Sequence, residues 1–159
     1  GEMVDAGWNG MVIPEANGGI GFDMTELVTV VEPMGRHLFA SPFLSSQLGI
    51  QSLLKGGEHL EGLRTHWLPR LAEGAMASLA VVAPDGDWDL ENCRCGASVS
   101  GASVRLSGEK RFVLDAAVAD LFAITVHFDG GPAIAFGDAD RIPEGALSRE
   151  GVIDETRRS

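Results

Sequence analysis

The residues with the clearest chemical potential are a glycine cluster, two cysteines, four histidines and an acidic run. Asn17-Gly18-Gly19-Ile20-Gly21 has the glycine density that lets a backbone wrap a phosphate. A dinucleotide fingerprint needs a strand ahead of it within a βαβ unit. Here the glycines follow Pro14-Glu15 and lead into an isolated helical pattern, and no Gly-Lys-Ser or Gly-Lys-Thr follows. They are therefore expected to shape a tight connection. His37, His59, His66 and His127 are scattered, and the seven-residue spacing of His59 and His66 does not suit a helical metal pair. Cys93 and Cys95 are too close for an unstrained disulfide and lack nearby ligands for a metal, so two reduced thiols are expected. Asp85, Asp87, Asp89 and Glu91 alternate, but without the spacing of a calcium loop; a solvated acidic loop is expected. No serine sits in a G-x-S-x-G elbow. These residues alone define no enzyme class.

The elements that position them change character near Ala75. Before it the pattern is helical; after it the runs are short, β-branched and separated by Gly and Asp. Asp23 and Glu26 fit a capping box, and Met24, Leu27, Val31, Met34 and Leu38 recur at helical spacing. Pro33 is expected to kink or end this helix. Ser41-Pro42 opens a second helix that should bury Leu44, Leu48 and Leu53 or Leu54 and stop at Lys55-Gly56-Gly57. A third is expected over 58–67, ending before Pro69. Strands are expected over 75–83, 93–99, 104–107, 111–114, 121–126 and 133–136, joined by turns such as Pro84-Asp85-Gly86 and Asp129-Gly130-Gly131. Helices followed by strands imply an α+β fold, a helical N-terminal part followed by an antiparallel β-barrel or sandwich.

Composition sets the outer limits. Apolar residues make up 45% of 159, enough for a packed core, and the formal charge is -11. Such a chain repels a phosphate backbone, so nucleic-acid binding is not expected, and Arg157-Arg158 makes no polybasic tract. No apolar run approaches the roughly 20 residues that cross a bilayer, and no leader pattern is visible; no membrane partner and a cytoplasmic location are expected. The start at Gly1-Glu2 and the stop at Arg157-Arg158-Ser159 suggest that both ends are cut.

Several stretches in order resemble the acyl-CoA dehydrogenase family. Residues 7–21, from Gly7-Trp8-Asn9-Gly10 through Pro14-Glu15 to Gly18-Gly19-Ile20-Gly21, are similar to its entry segment. Glu26 through Arg36, with Val31-Glu32-Pro33-Met34-Gly35-Arg36, resembles its following helix, and Trp67-Leu68-Pro69-Arg70-Leu71-Ala72-Glu73-Gly74 its passage into the β domain. Leu106-Ser107-Gly108-Glu109-Lys110-Arg111-Phe112-Val113 and Ala119-Asp120-Leu121-Phe122 resemble two β-domain motifs. Each motif is weak alone; their order and spacing carry the resemblance.

The resemblance implies residues 1–74 as a partial N-terminal helical domain and 75–159 as a truncated middle β domain, without the C-terminal helical bundle. It implies FAD as cofactor, an acyl-CoA substrate oxidised at Cα–Cβ, and a homo-oligomer or a hetero-oligomer with a homologous subunit. The family's glutamate base lies in the bundle, so no catalytic residue is expected here. Matching the two flavin-contacting segments selects Val81, Val82, Asp87, Trp88, Phe112 and Leu114. Val82 and Leu114 stand where hydroxyl residues are usual, and Trp88 where a serine is usual; Phe112 keeps an aromatic. These departures imply the alternative of a non-catalytic subunit that supports a homologous catalytic partner. Trp88 is expected to anchor its loop by packing. Ile153 to Arg158 resemble the approach to a further strand.

Overall fold

The computed structural model describes residues 2–101 and 103–151; the Ile153–Arg158 reading lies outside the described residues. Two compact units are present, with the boundary between Ala77 and Ser78. Among the described residues the first holds the α-helices α1 (Glu2–Asp5), α2 (Met24–Arg36), α3 (Phe43–Lys55) and α4 (Glu61–Ala72). The strands among the described residues are β1 (Ala77–Ala80), β2 (Gly96–Ser100), β3 (Ser103–Ser107), β4 (Leu121–Phe128) and β5 (Gly131–Asp138).

The glycine cluster does shape a connection. Gly18 has φ +83°, and a Cβ on Gly19 would lie 2.0 Å from the Ile13 carbonyl oxygen. Gly21 then donates to that oxygen at 2.8 Å, folding the segment against buried Met11-Val12-Ile13. At α2 the capping box forms: Asp23 accepts from the amides of Thr25 and Glu26, and Glu26 accepts from the Asp23 amide at 2.8 Å. Pro33 does not end the helix, which runs on to Arg36. Placed in the last turn, it removes only its own N–H, and its carbonyl still accepts from His37.

Helix α3 turns a different face inward from the one its leucines suggest. Phe43, Ile50 and Leu53 are buried as Leu53 was expected to be, but Leu44 and Leu48 are exposed. Ser46 and Gln47 take the inner positions because they have partners there. Ser46 Oγ accepts from the Ala77 amide, and Gln47 Nε2 donates to the Asn9 carbonyl. Gly49 lets α3 approach Ala77 closely, since an added Cβ would sit 2.4 Å from the Ala77 Cβ. In α2, Leu27 is buried while Met24 and Leu38 are exposed. The third expected helix begins with a 3-10 turn, Glu58–Leu60, and α4 continues through Pro69. It closes where the Arg70 carbonyl accepts from Ala75, with Gly74 at φ +113°.

The α+β class holds, with helices followed by a sheet, but the sheet is mixed. The order is β1-β4-β2-β3, with β5 also paired to β4. β2–β3 and β4–β5 are antiparallel hairpins, whereas β2 meets β4 in parallel through Gly96 and His127. Strand β4 is the core of this unit. Leu121, Phe122, Ala123 and Val126 are buried, worth about 1.5–3 kcal/mol for each large side chain. Two strand expectations need correction. Residues 93–95 precede β2 instead of joining it, and 111–114 form no strand. Phe112 and Asp115 have φ of 51° and 57°, a left-handed backbone that cannot continue a ladder. Among the described residues no helix is long and apolar enough to cross a membrane.

Candidate functional site

Val81 and Val82 follow β1 as a half-buried segment. The 110–114 segment runs beside it in the opposite direction. Arg111 N–H donates to the Val82 carbonyl at 3.0 Å, Lys110 Nζ to the Val81 carbonyl at 2.9 Å, and Ser78 Oγ to the Leu114 carbonyl at 2.6 Å. The structure thus brings Val81 and Val82 together with the stretch that carries Phe112 and Leu114. Phe112 is 45% exposed despite its ring, and Arg111 lies 5.6 Å over it. A bulky residue with positive φ is uncommon, and here the strained backbone presents an aromatic to solvent.

Asp87 and Trp88 belong to a separate local structure. Gly86 N–H donates to the Ala83 carbonyl and Ala83 N–H to the Asp87 carbonyl, closing a turn with Gly86 at φ +86°. The acidic side chains then cap the backbone in succession. Asp85, Asp87 and Asp89 accept from the amides of Asp87, Asp89 and Glu91, at 3.4, 2.9 and 3.1 Å. Asp87 also accepts from Asn92 Nδ2, so both its oxygens are engaged. The Asp89 amide, with Asn92 next, holds the Asp87 carboxyl below the usual carboxylate range. Arg94 pairs with Asp85 at 2.5 Å. The alternating acids are therefore loop-forming groups as well as solvated charges. Trp88 is 77% exposed and does not anchor the loop by burial.

Behind the two segments lies a polar cluster that reading the chain did not single out. Lys110 Nζ donates to Thr125 Oγ1 at 2.7 Å and to Cys93 Sγ at 3.3 Å as well as to Val81. Thr125 is 4% exposed, and its hydroxyl also reaches the Ala80 carbonyl at 3.3 Å. The available signal was a lone hydroxyl inside the apolar run Leu121-Phe122-Ala123-Ile124-Thr125-Val126, since a buried polar group needs a partner. Arg111 Nε donates to Glu150 at 2.7 Å, and that hydrogen bond and charge raise the guanidinium further. Both cysteines are free thiols.

A flat heteroaromatic ring would fit this surface. The Val82 and Leu114 side chains are half-buried and apolar, and the Phe112 ring is accessible. Among the described residues, the Phe112 and Val113 amides donate to no backbone carbonyl. Hydrogen bonding would therefore come from the main chain, because Val82 and Leu114 carry no hydroxyl.

Comparison with known proteins gives the context. Residues 1–75 match the acyl-CoA dehydrogenase N-terminal domain family. Acyl-CoA dehydrogenase FadE27 of Mycobacterium tuberculosis is 31% identical over 134 residues, covering 84% of this chain and 34% of that protein. The ChsE4–ChsE5 complex from Mycobacterium tuberculosis superposes with a TM-score of 0.76 at 27% identity, covering 95% of this chain and 39% of that one. A glutaryl-coenzyme A dehydrogenase shares the fold with a TM-score of 0.82 at 24% identity, covering 94% of this chain and 40% of that one. The chain spans 23% to 34% of the length of such curated relatives. The relative that is 31% identical across 84% of this chain, together with the family match over residues 1–75, carries the identification: the chain belongs to the acyl-CoA dehydrogenase family.

Proposed function

We propose that this chain is the helical and middle β portion of an FAD-dependent acyl-CoA dehydrogenase that oxidises the Cα–Cβ bond of an acyl-CoA thioester. In this reading residues 1–74 form part of the N-terminal helical domain and 75–159 part of the middle β domain. The observation that carries it is the hydrogen-bonded pairing of Val81-Val82 with Lys110-Arg111, next to which the chain exposes the Phe112 ring. FAD, when bound, supplies the hydride acceptor. Val81, Val82, Phe112 and Leu114 would hold its ring by apolar contact and main-chain donors, with Trp88 and the Asp87 loop at the margin. The base that removes the α proton is a glutamate outside this chain's matched segments. The protein acts in the cytoplasm as a homo-oligomer or with a homologous subunit.

A second reading is favoured by Val82 and Leu114, whose aliphatic side chains offer no hydrogen bond to a flavin. In it the chain belongs to a non-catalytic subunit that supports a homologous catalytic partner. The ChsE4–ChsE5 neighbour is itself a complex of two chains. Purifying the full-length protein alone separates the readings. Flavin absorption with acyl-CoA-dependent reduction of an artificial acceptor is expected for the first. A colourless protein that gains flavin only when co-produced with a homologous neighbour overturns it in favour of the second.

A further inference from the structure

We infer that Cys93 and Lys110 form an oxidative modification site, at which a peroxide converts the thiol–amine pair into a reversible sulfur–nitrogen cross-link. The two groups come from separate segments and meet at 3.3 Å between Sγ and Nζ. Lys110 is fixed by the Val81 carbonyl and Thr125 Oγ1, so its nitrogen is held against the sulfur instead of wandering in solvent. Cys93 is half-buried and reachable by a small oxidant, whereas Cys95 is 5% exposed. Burial works against ionising Cys93, but the Cys95 backbone hydrogen bond and the Lys110 ammonium outweigh it and hold the thiol below its ordinary value. Burial pushes Cys95 the other way. The thiolate is the species that attacks peroxide.

The chemistry balances with hydrogen peroxide as oxidant. The Cys93 thiolate attacks one peroxide oxygen, the O–O bond breaks, and Lys110 gives its proton to the departing hydroxide. The products are a sulfenic acid, water and a neutral lysine amine. The amine then attacks sulfur, the S–O bond breaks, and the hydroxyl leaves as water with a proton from nitrogen. Overall sulfur loses two electrons, peroxide gains them, and thiol plus amine become an S–NH link and two waters. The link draws Nζ from the Val81 carbonyl and removes a cation beside it. Its effect on flavin binding rests on the function proposed above; the link itself does not.

Peptide mapping of the peroxide-treated protein tests the site. Trypsin places Cys93 in Leu71–Arg94, Cys95 in Cys95–Arg105, and Lys110 at the end of Leu106–Lys110. The expected product is Leu71–Arg94 joined to Leu106–Arg111, two hydrogens lighter than the separate peptides, uncut at Lys110 and released by dithiothreitol. Cys95→Ser should leave it intact. Lys110→Arg should lose it and leave a Cys93 sulfenic acid that dimedone labels. Joining of Leu71–Arg94 to Cys95–Arg105 would mean a disulfide and overturn the inference. So would oxidised Cys93 with Lys110 still cut in the unsubstituted protein.

Discussion

Ser78→Ala tests whether the paired segments are held from beneath. Ser78 is 0% exposed, and its hydroxyl donates to the Leu114 carbonyl at 2.6 Å. Removing the donor leaves a half-buried carbonyl short of a partner, a cost of about 1–3 kcal/mol. No longer burying a hydroxyl offsets part of this, leaving a net loss of about 1–2 kcal/mol. For a chain of this size each kcal/mol moves Tm by about 2–4 °C, so a fall of roughly 2–8 °C is expected. Circular dichroism melting and urea titration measure it, with exposed Ser98→Ala on β2 as the comparison, expected within about 0.5 kcal/mol of the parent. If Ser78→Ala melts like Ser98→Ala, the tether contributes nothing and the argument that it positions the Leu114 backbone fails.

Two further substitutions read local structure. Gly49→Ala improves helix propensity but drives a methyl into Ala77, and overpacking of about 1–3 kcal/mol should outweigh the gain; Gly62→Ala, with open space around it, should instead stabilise by about 0.4–1 kcal/mol. Equal signs in urea titration would contradict this geometry. At α2, the Glu26 side chain first and the Thr25 amide next hold the Asp23 carboxyl below its usual range. A depressed folded value means that the contribution is present above about pH 4 and lost as pH falls through the folded value. Asp23→Asn, a cap without a charge, should flatten that part of the acid limb of Tm; an unchanged limb would show that the carboxylate adds nothing.

What could be read from the chain was mostly local. The Asp23–Glu26 box depends on residues three apart, and it forms. The glycines at 18–21 were understood as a connection because steric freedom belongs to the residue itself. Distant partners decided the rest. Nothing near Ser46 or Gln47 announces that Ala77 and Asn9 will satisfy them, so the leucines at 44 and 48 suggested the wrong inner face. The parallel meeting of Gly96 with His127 spans too much sequence for periodicity to reveal. At the candidate site, Val81, Val82, Phe112 and Leu114 were found through resemblance, not through any chemistry their side chains advertise. Lys110 and Thr125, which bind the neighbourhood together, required the fold.

The left-handed Phe112 has a consequence for anyone evolving this chain in the laboratory. Its conformation suits glycine, and a bulky residue there loses roughly 1–2 kcal/mol. Screens that reward heat resistance alone will therefore enrich Phe112→Gly, and in doing so discard the ring that the backbone holds out to solvent. Under the flavin-binding role proposed above, libraries built on this scaffold should be scored for flavin retention in the same round, since selection for heat resistance alone would favour loss of the proposed contact.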